Sequence, residues 1–192
     1  MKGVELVQRN RLPDSDRVEL TMNLKKKQRL ILWIRKPDWA DKATLIINGK
    51  AEQLLLGNDG YWMIDKVWNR KNRISLQLPM HTYTENLIGT GRYVALLYGP
   101  YVLAGRMGKE NLPSTFWGKM NNTAMNKMDL SKVPVFNIPA TQIPDHVEPV
   151  FERGTLRFNI HLKGFENVVL EPFYKIHFER YAIYWPTASS NE

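Results

Sequence analysis

With 192 residues, of which 43% are apolar, 11% aromatic and 24% charged, the chain has the make-up of a folded protein and not of a disordered tail. Its length buries roughly two-thirds of the unfolded surface, enough for one sizeable β-sandwich or two small ones. The absence of cysteine excludes a disulfide framework, a thiolate zinc site and a cysteine nucleophile within it, and no stretch reads as a signal peptide or a membrane span.

A net charge of +8, from 27 basic and 19 acidic residues, raises nucleic acid as a partner. The distribution speaks against it. Lys25, Lys26 and Lys27 form the one run and Arg70, Lys71 and Arg73 the other cluster, both at expected turns, where lysine guards sheet edges. There is no helix-turn-helix, zinc-finger or RNA-binding signature, so neither nucleic acid nor membrane is expected as a partner.

Along the chain the dominant period is two, the signature of a sheet with one buried and one wet face. Val18, Leu20, Met22 and Leu24 alternate with Glu19, Thr21 and Asn23. Residues 30–34 are continuously apolar and 43–47 nearly so, broken by Thr44, which suits strands that are more central or buried on both sides. Asn48-Gly49 signals a type I′ turn and Asn58-Asp59-Gly60 another. Ile74, Leu76 and Leu78 then alternate with Arg73, Ser75 and Gln77, and two apolar runs, 93–98 and 101–103, flank a Gly99-Pro100 turn.

Residues 115–130 are rich in Asn, Lys and Met, with Met120, Met125 and Met128 too unevenly spaced for a helical stripe. The pattern leaves room for one short helix or an ordered loop. Pro134, Pro139, Pro144 and Pro149 deny the next segment a regular central strand, after which Leu156, Phe158, Ile160 and Leu162 alternate again. These elements predict an all-β fold, an antiparallel β-sandwich of immunoglobulin-like or jelly-roll-like type with little helix. The expected organisation is a sandwich over residues 1–107, completed by a last strand within 172–186, with 108–171 an extended connection or inserted lobe.

Signals of chemistry are sparse. His81, His146, His161 and His177 are far apart and lack the short spacings of metal motifs; each reads as a surface or locally bonded histidine, with His177 left open. Gly89, Gly91 and Gly99 lack the strand-to-helix setting of a phosphate cradle, and no Gly-x-Ser-x-Gly elbow occurs. Asp59, Asp65, Glu171 and Glu179 lie near aromatics, but their spacing does not make any two face each other as a glycosidase pair. Six Trp, eight Tyr and seven Phe supply rings that either stack on sugars or, as large rings in strands usually do, anchor a core.

Several ordered strings resemble one family. Leu32-Trp33-Ile34-Arg35-Lys36-Pro37-Asp38-Trp39-Ala40 is similar to the Arg-Ile-Pro-x-Trp segment of glycoside hydrolase family 127, the β-L-arabinofuranosidase-like group, and Ile47-Asn48-Gly49-Lys50 to its Val-Asn-Gly-Lys turn. Gly60-Tyr61, Val67-Trp68 and Ile74 to Met80 follow in the family's order, and Val94 to Pro100 resembles its next strand and turn. Pro172 to Tyr181 and the closing Tyr184-Trp185 look like the ending of a Bacteroidetes-type branch. Lys71-Asn72 departs from the Gly-Asp that relatives carry there.

The resemblance implies a parent enzyme whose cysteine-based, zinc-associated retaining chemistry sits in an α/α barrel preceding these sandwiches. No position here matches those cysteines or their glutamate, so the expectation is a non-catalytic accessory β-sandwich region, without catalytic residues, metal or cofactor. Its partner would be the catalytic domain of the same protein. His177, Glu179, Arg180, Tyr181 and Trp185, polar groups set among aromatics, are the candidates for an interdomain or sugar contact. The alternative is an independent carbohydrate-binding module, which needs exposed rings among Trp39, Trp62, Trp68 and Trp185. A periplasmic or secreted location follows if the parent is an exported polysaccharide-degrading enzyme.

Overall fold

The computed structural model describes residues 3–57, 59–89, 91–109, 133–152 and 154–188. The chain divides into two compact units, Met1–His81 and Thr82–Glu192.

The first unit is built from β1 (Val4–Asn10), β2 (Arg17–Leu24), β3 (Gln28–Arg35), β4 (Thr44–Ile47), β5 (Lys50–Glu52), β6 (Leu55–Leu56), β7 (Tyr61–Trp68) and β8 (Lys71–Gln77). A five-stranded sheet runs β1-β2-β8-β4-β5 and a three-stranded sheet runs β3-β7-β6, every pair antiparallel. The alternation read from the sequence becomes the packing. Val18, Leu20, Met22 and Leu24 from β2 and Ile74 and Leu76 from β8 meet Trp62, Ile64 and Trp68 from β7 in one buried cluster, which makes the unit a sandwich. The Trp68 indole is fully buried and satisfies its N–H by donating to the Leu30 carbonyl, 3.0 Å away.

Two turns show why the sequence folds this way. Asn48 and Gly49 both take positive φ, 49° and 81°, the combination a type I′ hairpin requires, and Ile47 pairs with Lys50 across it. Lys71-Asn72, the departure noted above, falls at the bend from β7 into β8. Asn72 is buried there, its amide donating to the Asn69 carbonyl at 2.7 Å while its side-chain oxygen accepts the Asn69 N–H at 3.1 Å.

The sequence reading of two runs is corrected. Residues 30–34 and 43–47 were expected to be central or buried on both sides, yet β3 and β4 alternate, with Ile31, Trp33 and Ile46 facing outward. Apolar residues of both parities mask a period of two, although only one parity enters the core.

The second unit holds β9 (Thr82–Asn86), β10 (Tyr93–Tyr98), β11 (Tyr101–Arg106), β12 (Val147–Glu152), β13 (Thr155–Ile160), β14 (Val169–Pro172), β15 (Tyr181–Ala182) and β16 (Tyr184–Pro186). They form a sheet ordered β12-β13-β14-β11-β10-β16, with β9 added to β10 and β15 to β11. Phe136 and Phe165 stack at 4.3 Å and both lean on Trp185, closing a core shared with Leu96, Leu103, Phe158 and Leu170. The described helical residues are two 3-10 helices, Ala140–His146 and Phe173–Lys175.

The division at His81 differs from the sequence reading, which drew one sandwich over 1–107. β9, β10 and β11 belong to the second unit, and three strands of the expected connection, β12 to β14, join their sheet. Proline is accommodated there: Pro149 lies in β12, at the sheet edge, where a missing N–H costs no ladder bond. The closing strand within 172–186 is β16, paired with β10. The helix or loop expected over 115–130 lies outside the described residues.

Candidate functional site

The second unit carries the densest set of interacting charges. Ala104 pairs with Glu171 and Phe158 with Leu170, so the pleat sets Arg106, Glu171 and Arg157 on one face of β11, β14 and β13, opposite the face that delivers Leu103, Leu170 and Phe158 to the core. The segment after Pro172 turns through the 3-10 helix Phe173–Lys175 and returns along β11, bringing Glu179 to the same place. Arg106 donates to Glu171 at 2.8 Å and to Glu179 at 2.7 Å, and Arg157 donates to the other Glu171 oxygen at 2.9 Å and to Glu152 at 3.4 Å.

Glu171 is 2% exposed, and a carboxylate so buried persists only where both oxygens are met by charged donors. The Glu171 hydrogen bond, with Glu179 adding to it against the cost of burial, raises the Arg106 pKa further above its ordinary value. Both carboxylates are thereby engaged as guanidinium acceptors.

The five residues singled out from sequence separate. Glu179 is in the ion network, the Arg180 N–H donates to the Gly108 carbonyl at 3.0 Å and its carbonyl accepts from Met107 at 2.9 Å, and Tyr181 pairs with Arg106 with its ring 4.8 Å from Phe173. These three come together beside the end of β11. His177 is exposed at the bend before them, next to Phe178, whose φ of 57° is rare for an aromatic residue. Trp185 is fully buried and belongs to the core, so its ring offers no surface for a partner or a sugar.

In the first unit the carboxylates are also engaged. Asp65 accepts two hydrogen bonds from Arg29, at 2.9 and 2.8 Å; the hydrogen bond chiefly, and the positive charge with it, hold the Asp65 carboxyl below the usual carboxylate range. Asp59 accepts the Tyr61 N–H at 3.3 Å and fixes a turn. Among the described residues no three His, Asp or Glu side chains gather as metal ligands, and with no cysteine in the sequence the donors do not fit a zinc–thiolate site.

Of the tryptophans weighed as sugar platforms, Trp62, Trp68 and Trp185 are buried, and Trp39 is half-buried against the first core. Among the described residues the exposed indole is Trp33, 47% accessible on the outer face of β3. From sequence it falls in a run expected to be central or buried on both sides. The signal that finds it is Arg29 and Arg35, which share its parity and mark that face as outward.

Residues 83–187 match the family described as DUF4986, a domain of unknown function, and residues 1–80 match the middle domain of GH127 beta-L-arabinofuranosidase. The fold is similar to that of a GH127 beta-L-arabinofuranosidase from Geobacillus stearothermophilus T6, with a TM-score of 0.66 at 17% identity over 96% of this chain and 31% of that one. A glycoside hydrolase gives 0.61 at 16% identity over 97% and 32%, and another GH127 beta-arabinofuranosidase 0.61 at 15% over 96% and 32%. The chain thus spans about a third of the length of these structures. No curated protein matches the sequence.

Proposed function

Because this chain belongs to the GH127 group, with that family's middle domain at residues 1–80 and a DUF4986 domain at 83–187, we propose that it is the non-catalytic accessory region of a glycoside hydrolase, packing against and supporting a catalytic α/α barrel elsewhere in the same polypeptide. The observation that carries this reading is the extent of the match: 96% of this chain is accounted for by 31% of a GH127 structure. Its own charges point the same way. Glu171, Glu179 and Asp65 are spent on Arg106, Arg157 and Arg29, the use of a scaffold and not of a glycosidase pair, which needs one carboxyl free to protonate and one free to attack or activate water.

The test is to remove this region from the parent enzyme. The reading expects the remainder to lose activity or thermal lifetime on L-arabinofuranosides, and an unchanged remainder would contradict it. A second reading, an independent carbohydrate-binding module, is favoured by one observation: the exposed Trp33 ring with Tyr61 on the same face. Retardation of the chain in a polysaccharide affinity gel, abolished by Trp33→Ala, would establish it; unretarded migration on every polysaccharide tried removes it.

A further inference from the structure

The first unit has two outer sheet faces, and they differ in kind. The five-stranded sheet presents a mainly wet surface, its polar side chains bonded to one another, Asn23 to Glu5 at 2.7 Å, Ser75 to Glu19 at 2.8 Å and Gln77 to Asp16 at 3.1 Å, with Val7 and Ile46 set singly among them. The three-stranded sheet is richer in hydrocarbon, with the Arg29–Asp65 ion pair set into it and Arg35 and Tyr61 at one end. Its register sets Trp33 opposite Met63 and Met63 opposite Leu55, a row across all three strands, with Ile31 and Val67 on the same face. Ile31, Trp33, Leu55 and Val67 are each between 47% and 53% exposed.

Single exposed apolar side chains are ordinary, but a contiguous apolar face rimmed by charge marks a binding surface. We infer that the outer face of β3-β7-β6, centred on Trp33, is the surface on which the remainder of the same GH127 polypeptide docks. The inference rests on the accessory reading above and deepens it by naming the face. The occupant follows from two observations. The matched structures are about three times as long as this chain, which covers 31% of the first of them, so most of such a polypeptide lies outside it. The chemistry of the face suits protein better than sugar: Ile31 and Met63 flank the indole, with Leu55 beyond Met63 and Arg35 and Tyr61 on the remaining side, and the Arg29 and Asp65 charges are locked to each other, whereas a sugar site aims polar groups at hydroxyls.

Hydroxyl-radical footprinting of the intact parent enzyme, with Ile31→Lys and Val67→Lys variants alongside, tests this. Both positions are about half exposed in this chain, so lysine there leaves the sandwich intact, and Thr21→Lys on the polar sheet is the control. The expected result is loss of Trp33 labelling in the parent and a melting temperature lowered by several degrees in both face variants but not in the control. Trp33 labelled as a half-exposed indole, with silent face variants, would overturn the inference. If deleting the whole region still impairs the remainder in that case, the accessory reading survives with a different face, and if it does not, both fail. Protection of Trp33 that appears only as concentration rises would assign the face to a second copy and overturn the inference as well.

Discussion

Gly105 is glycine because Trp185 occupies the space a side chain would need. A Cβ there would lie 2.4 and 2.8 Å from two carbons of the indole ring, and Trp185, fully buried between Phe136 and Phe165, has nowhere to retreat. Gly105→Ala therefore destabilises the second unit by about 1–3 kcal/mol, the range for overpacked cores, seen as a lower thermal midpoint; an unchanged midpoint would refute the packing. The ion network makes a graded prediction. Glu171→Gln removes the buried charge and turns one of the two acceptor oxygens into an N–H donor facing a guanidinium, and costs about 1.5–3 kcal/mol in urea unfolding, whereas Glu152→Gln, at the exposed rim with its 3.4 Å contact, changes stability by less than about 1 kcal/mol.

Asp65 supplies the pH dependence at this scale. Its folded pKa is depressed by Arg29, so its contribution is fully present above the ordinary carboxylate range and is lost as the pH falls through the depressed value. The pair lies at the surface, which makes the effect small and salt-sensitive. A melting-temperature difference between the native chain and Asp65→Asn should be present at neutral pH and low salt and vanish in strong acid; a difference that grows on acidification would reverse the sign.

At the scale of the element, what the sequence made legible were structures whose cause is local. β2, β8 and β13 were readable because polar residues occupy one parity throughout, and the Asn48-Gly49 hairpin because two adjacent positive φ angles admit few residues. Glu179 and Tyr181 could be singled out, but the Arg106 and Arg157 that bind the network are 65 and 14 residues from Glu171, a pairing that only the sheet register creates. Asn72 is similar: nothing in Lys71-Asn72 announces a buried amide, yet Asn72→Ala removes its hydrogen bonds to the N–H and the carbonyl of Asn69 and should cost about 0.5–1.5 kcal/mol, measurable as a shift in the denaturation midpoint. β3 hides its period of two because residues 30–34 are apolar on both parities, and only Arg29 and Arg35, at either end of the run, mark the outward face. If its outer face docks elsewhere in the polypeptide, the pattern is the one expected of a strand whose second burial lies outside this chain.

For the whole molecule, the boundary at His81–Thr82 was hard to see because no long linker marks it, while the prolines at 134–149 resembled one. Pro139 precedes and Pro144 lies within a 3-10 helix, and Pro149 lies in an edge strand. Each unit closes its own core, and the charges that might have suggested chemistry are used to hold strands together. This build suits the accessory role proposed above, in which the region would offer a rigid surface to another domain. The most direct test of that claim is the hydrolysis of aryl L-arabinofuranosides by the isolated chain, assayed beside the intact parent enzyme. The account predicts turnover by the parent and none by the chain alone; turnover by the chain that survives repurification would contradict it.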